Sequence, residues 1–157
     1  MKVSQIMNRN PKVCRPGDPL TRAAQLMWEN SCGGLPVVDE HSRPVGFLTD
    51  RDICMAAYTQ GKVLDAIRVE TAMARKIVCC RADDDLVSAA NLMRGKGYRR
   101  LPVVGADGTL AGVLSLDDIA HEAARPLRGG INQELKNLVA DVFTSINRGR
   151  VKARSSD

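Results

Sequence analysis

The chain has 157 residues, of which 44% are hydrophobic and 26% charged, a balance that supports an ordinary core and excludes disordered and fibrous classes. No run approaches the roughly 20 apolar residues of a membrane span, and Met1-Lys2-Val3-Ser4-Gln5 lacks the apolar core of an export signal, so a cytoplasmic protein with no membrane partner is expected. The net charge of +5 is spread along the chain, with one local concentration at Arg148, Arg150, Lys152 and Arg154, and aromatic residues at 3% are poor material for base stacking, so nucleic acid is not the expected partner.

Taken in order, Lys12-Val13-Cys14 reads as an extended apolar piece. Asp18-Pro19 precedes Leu20, Ala23, Ala24, Leu26 and Met27 at helical spacing, which predicts a helix over about 18–30 with Asp18 as N-cap and Pro19 in its first turn. Gly33-Gly34 breaks that pattern, and Leu35-Pro36-Val37-Val38 is a short buried strand. The polar stretch 39–44 turns the chain into a returning strand, Val45-Gly46-Phe47-Leu48, and Thr49 opens a helix from Asp50 to Tyr58 that Gly61 breaks.

The same steps then recur. An apolar piece at Ile77-Val78-Cys79 leads to a helix over about 84–95, capped by Asp83 or Asp84, then a strand Leu101–Val104, a Gly105-Ala106-Asp107-Gly108 turn, a strand Leu110–Leu114 and a helix opening at Ser115. Leu35-Pro36-Val37-Val38 returns as Leu101-Pro102-Val103-Val104 and Gly46 returns as Gly112, both at an offset of 66 residues. Met7/Met73, Cys14/Cys80, Asp18/Asp84, Leu20/Leu86 and Leu26-Met27/Leu92-Met93 keep that offset. The chain is therefore two copies of one strand-helix-strand-strand-helix unit, over residues 1–62 and 63–124, followed by a different region, 125–157. In that last region Ile131, Leu135, Leu138, Val139, Val142, Phe143 and Ile146 predict an amphipathic helix over about 131–147. Its stripe covers either its own chain or a second subunit.

Cys14, Cys32, Cys54, Cys79 and Cys80 form an odd set without CxxC spacing, which points to free thiols and no metal site, with a Cys14–Cys80 bridge as the alternative. His41 and His121 read as surface residues, and Asp83-Asp84-Asp85 as a helix cap and dipole partner in preference to a divalent-metal site. No Ser-His-Asp set, HExxH or P-loop is evident, so no catalytic residue and no enzymatic activity are assigned.

An x-Leu-Pro-Val-Val strand, a glycine-led strand and a closing [S/T]-x-x-[D/N], here Thr49-Asp50-Arg51-Asp52 and Ser115-Leu116-Asp117-Asp118, together resemble a cystathionine-β-synthase (CBS) domain. The tandem resembles a CBS pair, or Bateman module, over about residues 3–122. That resemblance implies an α+β fold in which two β-α-β-β-α repeats pack as a pseudo-twofold pair, with the C-terminal amphipathic helix added. It further implies a non-enzymatic sensor with no required cofactor, whose regulatory ligand is an adenosine compound such as AMP, ADP, ATP, NAD or S-adenosylmethionine. A homodimer and a regulated partner protein of unknown identity go with it.

By the same resemblance Asp52 and Asp118 bind ribose, and Thr49 and Ser115 bind phosphate. A carboxylate can accept both hydrogen bonds of a cis-diol, and a hydroxyl with free helix N-terminal amides suits phosphate. Adenine is expected against Val13-Cys14 or Cys79-Cys80 and the start of the Leu35-Pro36 or Leu101-Pro102 strand. The same hydroxyl and acid also read as a helix capping box, which needs no ligand. The two copies differ in charge: Arg51 stands beside Asp52 where Asp117 stands beside Asp118, and Arg99-Arg100 replaces Gly33-Gly34 as a candidate phosphate clamp. A ligand-free assembly module and nucleic-acid binding through the basic tail are the rival functions.

Overall fold

The computed structural model describes residues 1–127 and 130–152, with the side chains of 126–131 and 147–152 left out of the description. The basic concentration at Arg148, Arg150, Lys152 and Arg154 and the first member of the helical stripe, Ile131, thus lie outside the described side chains. The chain forms an α+β fold of two compact units. The first comprises Asn10–Val78 and Gly105–Leu110; the second comprises Met1–Arg9, Cys79–Val104 and the described residues from Ala111 onward.

In the first unit, β1 (Gly34–Val38) pairs antiparallel with β2 (Pro44–Thr49), Leu35 standing opposite Leu48, and Cys14 bridges to Val37 in parallel. Helix α1 (Leu20–Glu29) buries Leu20, Ala23 and Met27, and α2 (Asp50–Gln60) buries Ile53 and Ala56. These side chains join Leu35, Val37 and Leu48 in one core. Gly61 ends α2 in the left-handed conformation that glycine adopts without a Cβ penalty.

In the second unit, β3 (Cys80–Arg81) runs parallel to β4 (Arg100–Val104), and β5 (Leu110–Ser115) completes a sheet of order β3-β4-β5. Helix α3 (Leu86–Lys96) buries Leu86, Ala89, Ala90 and Met93, and α4 (Leu116–Ala124) buries Leu116, Ile119 and Ala123. Each of Cys14, Leu20, Ala23, Met27, Leu35, Val37, Leu48 and Ile53 is buried, and so is its counterpart 66 residues on.

The leaders of the two repeats exchange units. Val69 and Glu70 donate their amides to the Asp18 and Pro16 carbonyls, and Ala74 exchanges two backbone bonds with Phe47, so the start of the second repeat completes the first unit. In the same pattern Val3 and Ser4 donate to Asp84 and Ala82, and Asn8 exchanges two bonds with Val113 in the second unit. The sequence repeat and the packing unit are thus out of phase by a leader of about ten residues.

Several local expectations are corrected. Asp18 does not cap α1; its carboxylate accepts the Arg15 amide at 2.7 Å and closes the preceding turn, leaving Pro19 at the N-cap with no side-chain bond. Asp84 does the same for the Arg81 amide at 2.8 Å, so Asp85 caps α3 through the Val87 amide. The opening strand of the second repeat is Cys80–Arg81, not Ile77-Val78-Cys79, because parallel pairing puts Cys80 opposite buried Val103.

The last helix, α5 (Gln133–Lys152), starts two residues later than its periodicity suggests. Ile131 belongs instead to a short strand, β7 (Gly130–Ile131), paired with β6 (Pro126–Leu127), and the Asn132 side chain accepts the Leu135 amide. Its stripe lies on α3 and α4 of its own chain, burying Leu135, Leu138, Val142 and Ile146 and leaving Phe143 exposed.

Candidate functional site

In each unit a hairpin strand runs directly into a helix, and the junction carries the hydroxyl and acid singled out by the repeat. At the start of α2, Asp52 Oδ2 accepts both the Thr49 amide at 2.8 Å and the Thr49 hydroxyl at 2.7 Å, and the Asp52 amide donates back to Thr49 Oγ1 at 3.2 Å. At the start of α4, Asp118 Oδ2 accepts the Ser115 amide at 2.7 Å and its hydroxyl at 2.6 Å, and the Asp118 amide returns to Ser115 Oγ at 3.1 Å. Both are complete capping boxes with Asp in the place usually held by Glu.

All of those acceptor roles fall on Oδ2. Oδ1 of each aspartate takes part in none of them, and both side chains are half-buried, so one carboxylate oxygen builds the helix while the other stays available as an acceptor. The hydroxyl protons of Thr49 and Ser115 are engaged by the same boxes.

The residue two before the hairpin completes each junction. The Gly33 carbonyl accepts the first amide of α2, from Asp50, at 3.4 Å, and the Arg99 carbonyl accepts the first amide of α4, from Leu116, at 2.9 Å. Arg99, with its exposed side chain, therefore stands at the end of α4 that carries Ser115, Asp117 and Asp118, while glycine holds the equivalent place in the first unit. Arg51 is exposed on the first turn of α2, and Arg100 is half-buried in β4. The two junctions thus carry matching acids but draw their nearest guanidinium from different elements. Sequence pattern alone missed the Gly33 and Arg99 carbonyl roles; applying the 66-residue offset to hydrogen-bond partners exposes them.

The glycines of the returning strands answer a packing demand. A Cβ on Gly46 would lie 2.5 Å from Met73 Sδ, and one on Gly112 would lie 2.6 Å from the Asn8 carbonyl oxygen. The close neighbour in each case is the exchanged leader.

Leu35, Pro36, Leu101 and Pro102 are buried, and Val13 is partly exposed. The Cys14 amide donates to the Pro36 carbonyl at 3.2 Å and its carbonyl accepts the Val38 amide at 3.0 Å, so its own backbone is engaged in the sheet. Cys80 lies with its thiol 3.9 Å from the Pro102 carbonyl. All five cysteines are free thiols, so the Cys14–Cys80 bridge is not formed. Burial, helped by Asp18, pushes the Cys14 thiol up to about 12; burial, helped by Asp84 and Cys79, pushes the Cys80 thiol up to about 12. Burial also raises Cys79. Among the described residues no three His, Cys, Asp or Glu side chains gather as metal ligands, and no described helix is long and apolar enough to cross a membrane.

This architecture has relatives. The chain is 34% identical over 120 residues to an uncharacterized 17.7 kDa protein of Acidianus ambivalens, spanning 76% of this chain and 71% of that one. It is 30% identical over 133 residues to an inosine-5'-monophosphate dehydrogenase of Methanocaldococcus jannaschii, a match that spans 82% of this chain and only 26% of that enzyme. Among solved structures, a CBS domain pair in complex with 5'-methylthioadenosine and S-adenosyl-L-methionine superposes with a TM-score of 0.70 at 25% identity, covering 77% of this chain and 94% of that one. CBSX2 of Arabidopsis thaliana in complex with AMP superposes with a TM-score of 0.67 at 29% identity, covering 76% of this chain and 93% of that one. The CBS domain pattern itself matches twice, over residues 3–58 and 68–125, at the two units built from the repeat. The chain belongs to the CBS domain family, as a tandem pair.

Proposed function

We propose that this CBS pair is a regulatory module that binds an adenosine compound of the AMP, ADP, ATP, NAD or S-adenosylmethionine class and passes its occupancy to a partner protein. The observation that carries the reading is the divided carboxylate: in both units one aspartate oxygen holds the capping box and the other remains as an acceptor beside a helix N-terminus. Capping alone needs only the first oxygen. A ribose cis-diol supplies two hydroxyl donors that suit the second.

The remaining groups at each junction support the same reading. Arg51 in the first unit and Arg99 and Arg100 in the second offer guanidinium partners for phosphate, and the helix N-termini favour negative charge. Because Thr49 and Ser115 already donate to their aspartates, the phosphate role falls chiefly to these arginines and to helix amides. Asp117 opposes an anion near α4, so the more anionic ligands favour the Asp52 junction and the neutral or cationic ones the Asp118 junction. Cys14 engages its own amide and carbonyl in the sheet, which leaves the neighbouring Val13 backbone as the adenine reader in the first repeat. In the second repeat the same role falls to Cys79, which precedes the strand pair formed by Cys80.

Binding, not turnover, fits these groups. The thiols beside the junctions, Cys14 and Cys80, are held protonated at neutral pH and are therefore poor nucleophiles. Regulation then follows from linkage: a ligand at 100 times its Kd stabilises the bound arrangement by about 2.7 kcal/mol, enough to shift which conformation a partner meets.

The test is a thermal-shift panel of adenosine compounds on the wild type, Asp52→Asn and Asp118→Asn. Asparagine keeps a carbonyl oxygen for the cap and turns the second oxygen into a donor, so each variant keeps its unliganded melting point and loses the shift from its own half. Failure of every adenosine compound to move the wild-type melting point sinks the proposal.

A further inference from the structure

The internal duplication shows what covers a face that the first unit leaves open. In the second unit α5 lies across α3 and α4, and the Ser145 hydroxyl of α5 donates to the Arg94 carbonyl at 2.8 Å. Counting back 66 residues from Arg94 gives Trp28, the outermost residue of α1, which is 88% exposed. On the second helix of each pair, Ala120 and Ala123 are more covered than their counterparts Cys54 and Ala57, and on the first helix Ala90 is more covered than Ala24. Tyr58, one turn beyond Cys54, is 81% exposed, and Met55 beside it is exposed as well. The first unit therefore presents Ala24, Trp28, Cys54, Ala57 and Tyr58 on the face that its twin buries under a helix.

We infer that this α1/α2 face docks the same face of a second copy of the chain, around a twofold axis, and that α5 blocks the equivalent face of the second repeat and so confines pairing to the first. A helix is what the equivalent face accepts in the second unit, and the α1/α2 face is itself helical, so two copies can offer each other the packing that α5 supplies. The charges bordering it on α2 are Asp50 and Arg51, one of each sign, so self-pairing places no single-sign field against itself. Helix α5 of the second copy is not the occupant, because Leu135, Leu138, Val142 and Ile146 are already buried in their own chain. Large aromatic side chains this exposed are what an interface of this kind uses as anchors.

Sedimentation velocity of the full chain tests the assignment. A dimer is expected that Trp28→Glu and Tyr58→Glu each weaken at least tenfold, while Phe143→Glu, which alters the exposed aromatic of α5, leaves it unchanged. Trp28 and Tyr58 each have over four-fifths of their surface in solvent, so circular dichroism melts of the variants should match the wild type. As a second readout, a short bismaleimide should capture a covalent dimer of the wild type and not of Cys54→Ser. A monomeric wild type, a dimer that survives both aromatic substitutions, a dimer lost with Phe143→Glu alone, or capture that persists in Cys54→Ser overturns the inference. None of these outcomes bears on nucleotide binding, which is read separately.

Discussion

In the first unit Leu35 and Leu48 face each other across a hairpin under α1 and α2, and in the second Leu101 and Leu114 sit buried in the same places under α3 and α4. The cores match residue for residue, yet the surfaces do not: one unit exposes Trp28 and Tyr58 where the other is roofed by α5, and Gly33 in one corresponds to Arg99 in the other. What the two units share is what the fold requires, and what separates them marks where ligands and partners can tell them apart.

The largest test of that division is in the core. Leu35→Ala and Leu101→Ala each remove a fully buried side chain, so each should cost about 2–5 kcal/mol in urea unfolding, with the two losses alike. A large disparity would break the claim that the units share one core.

Next come the glycines. Gly112→Ala forces a Cβ onto the Asn8 carbonyl oxygen, whereas Gly46→Ala meets the flexible Met73 thioether first and the Ala74 carbonyl oxygen at 3.1 Å. Both should destabilise by about 1–3 kcal/mol, with Gly112→Ala the costlier because backbone yields less than a methionine end. The reverse order in denaturation midpoints would show that the exchanged leaders are not held alike.

Smaller still, Thr49→Ala and Ser115→Ala each delete a cap hydroxyl and should lower stability by about 1 kcal/mol. The smallest effect is electrostatic. Cys14 and Cys80 have thiols raised above their ordinary value of 9.0, so the folded state favours the protonated form. Their contribution to stability is full below about pH 9 and is lost as the pH rises toward about 12. At pH 8 an alkylating reagent should modify exposed Cys54 well before Cys14 or Cys80 in either unit, as peptide mapping would show.

Much of this was legible in the sequence because duplication gives two readings of one pattern. The hairpin strands, α2, α4 and the Thr49–Asp52 and Ser115–Asp118 junctions follow from residues whose local chemistry and repeat position agree. Asp18 and Asp84 misled because an acid before a helix can bond a turn amide as readily as a helix amide, and the turn amides of Arg15 and Arg81 are nearer in sequence than they look. The exchanged leaders were not legible from local pattern, since Val3 and Val69 reveal only that they are buried and not which sheet buries them. The role of each aspartate beyond its cap is equally invisible in sequence, because Oδ1 and Oδ2 are the same letter.

Calorimetric titration of AMP and S-adenosylmethionine into the wild type, Asp52→Asn, Asp118→Asn and the double variant tests the divided carboxylate most directly. The account predicts binding by the wild type, loss at one half in each single variant with unequal effects on the two ligands, and no binding by a double variant that still melts like the wild type. Undiminished binding by that double variant would contradict it.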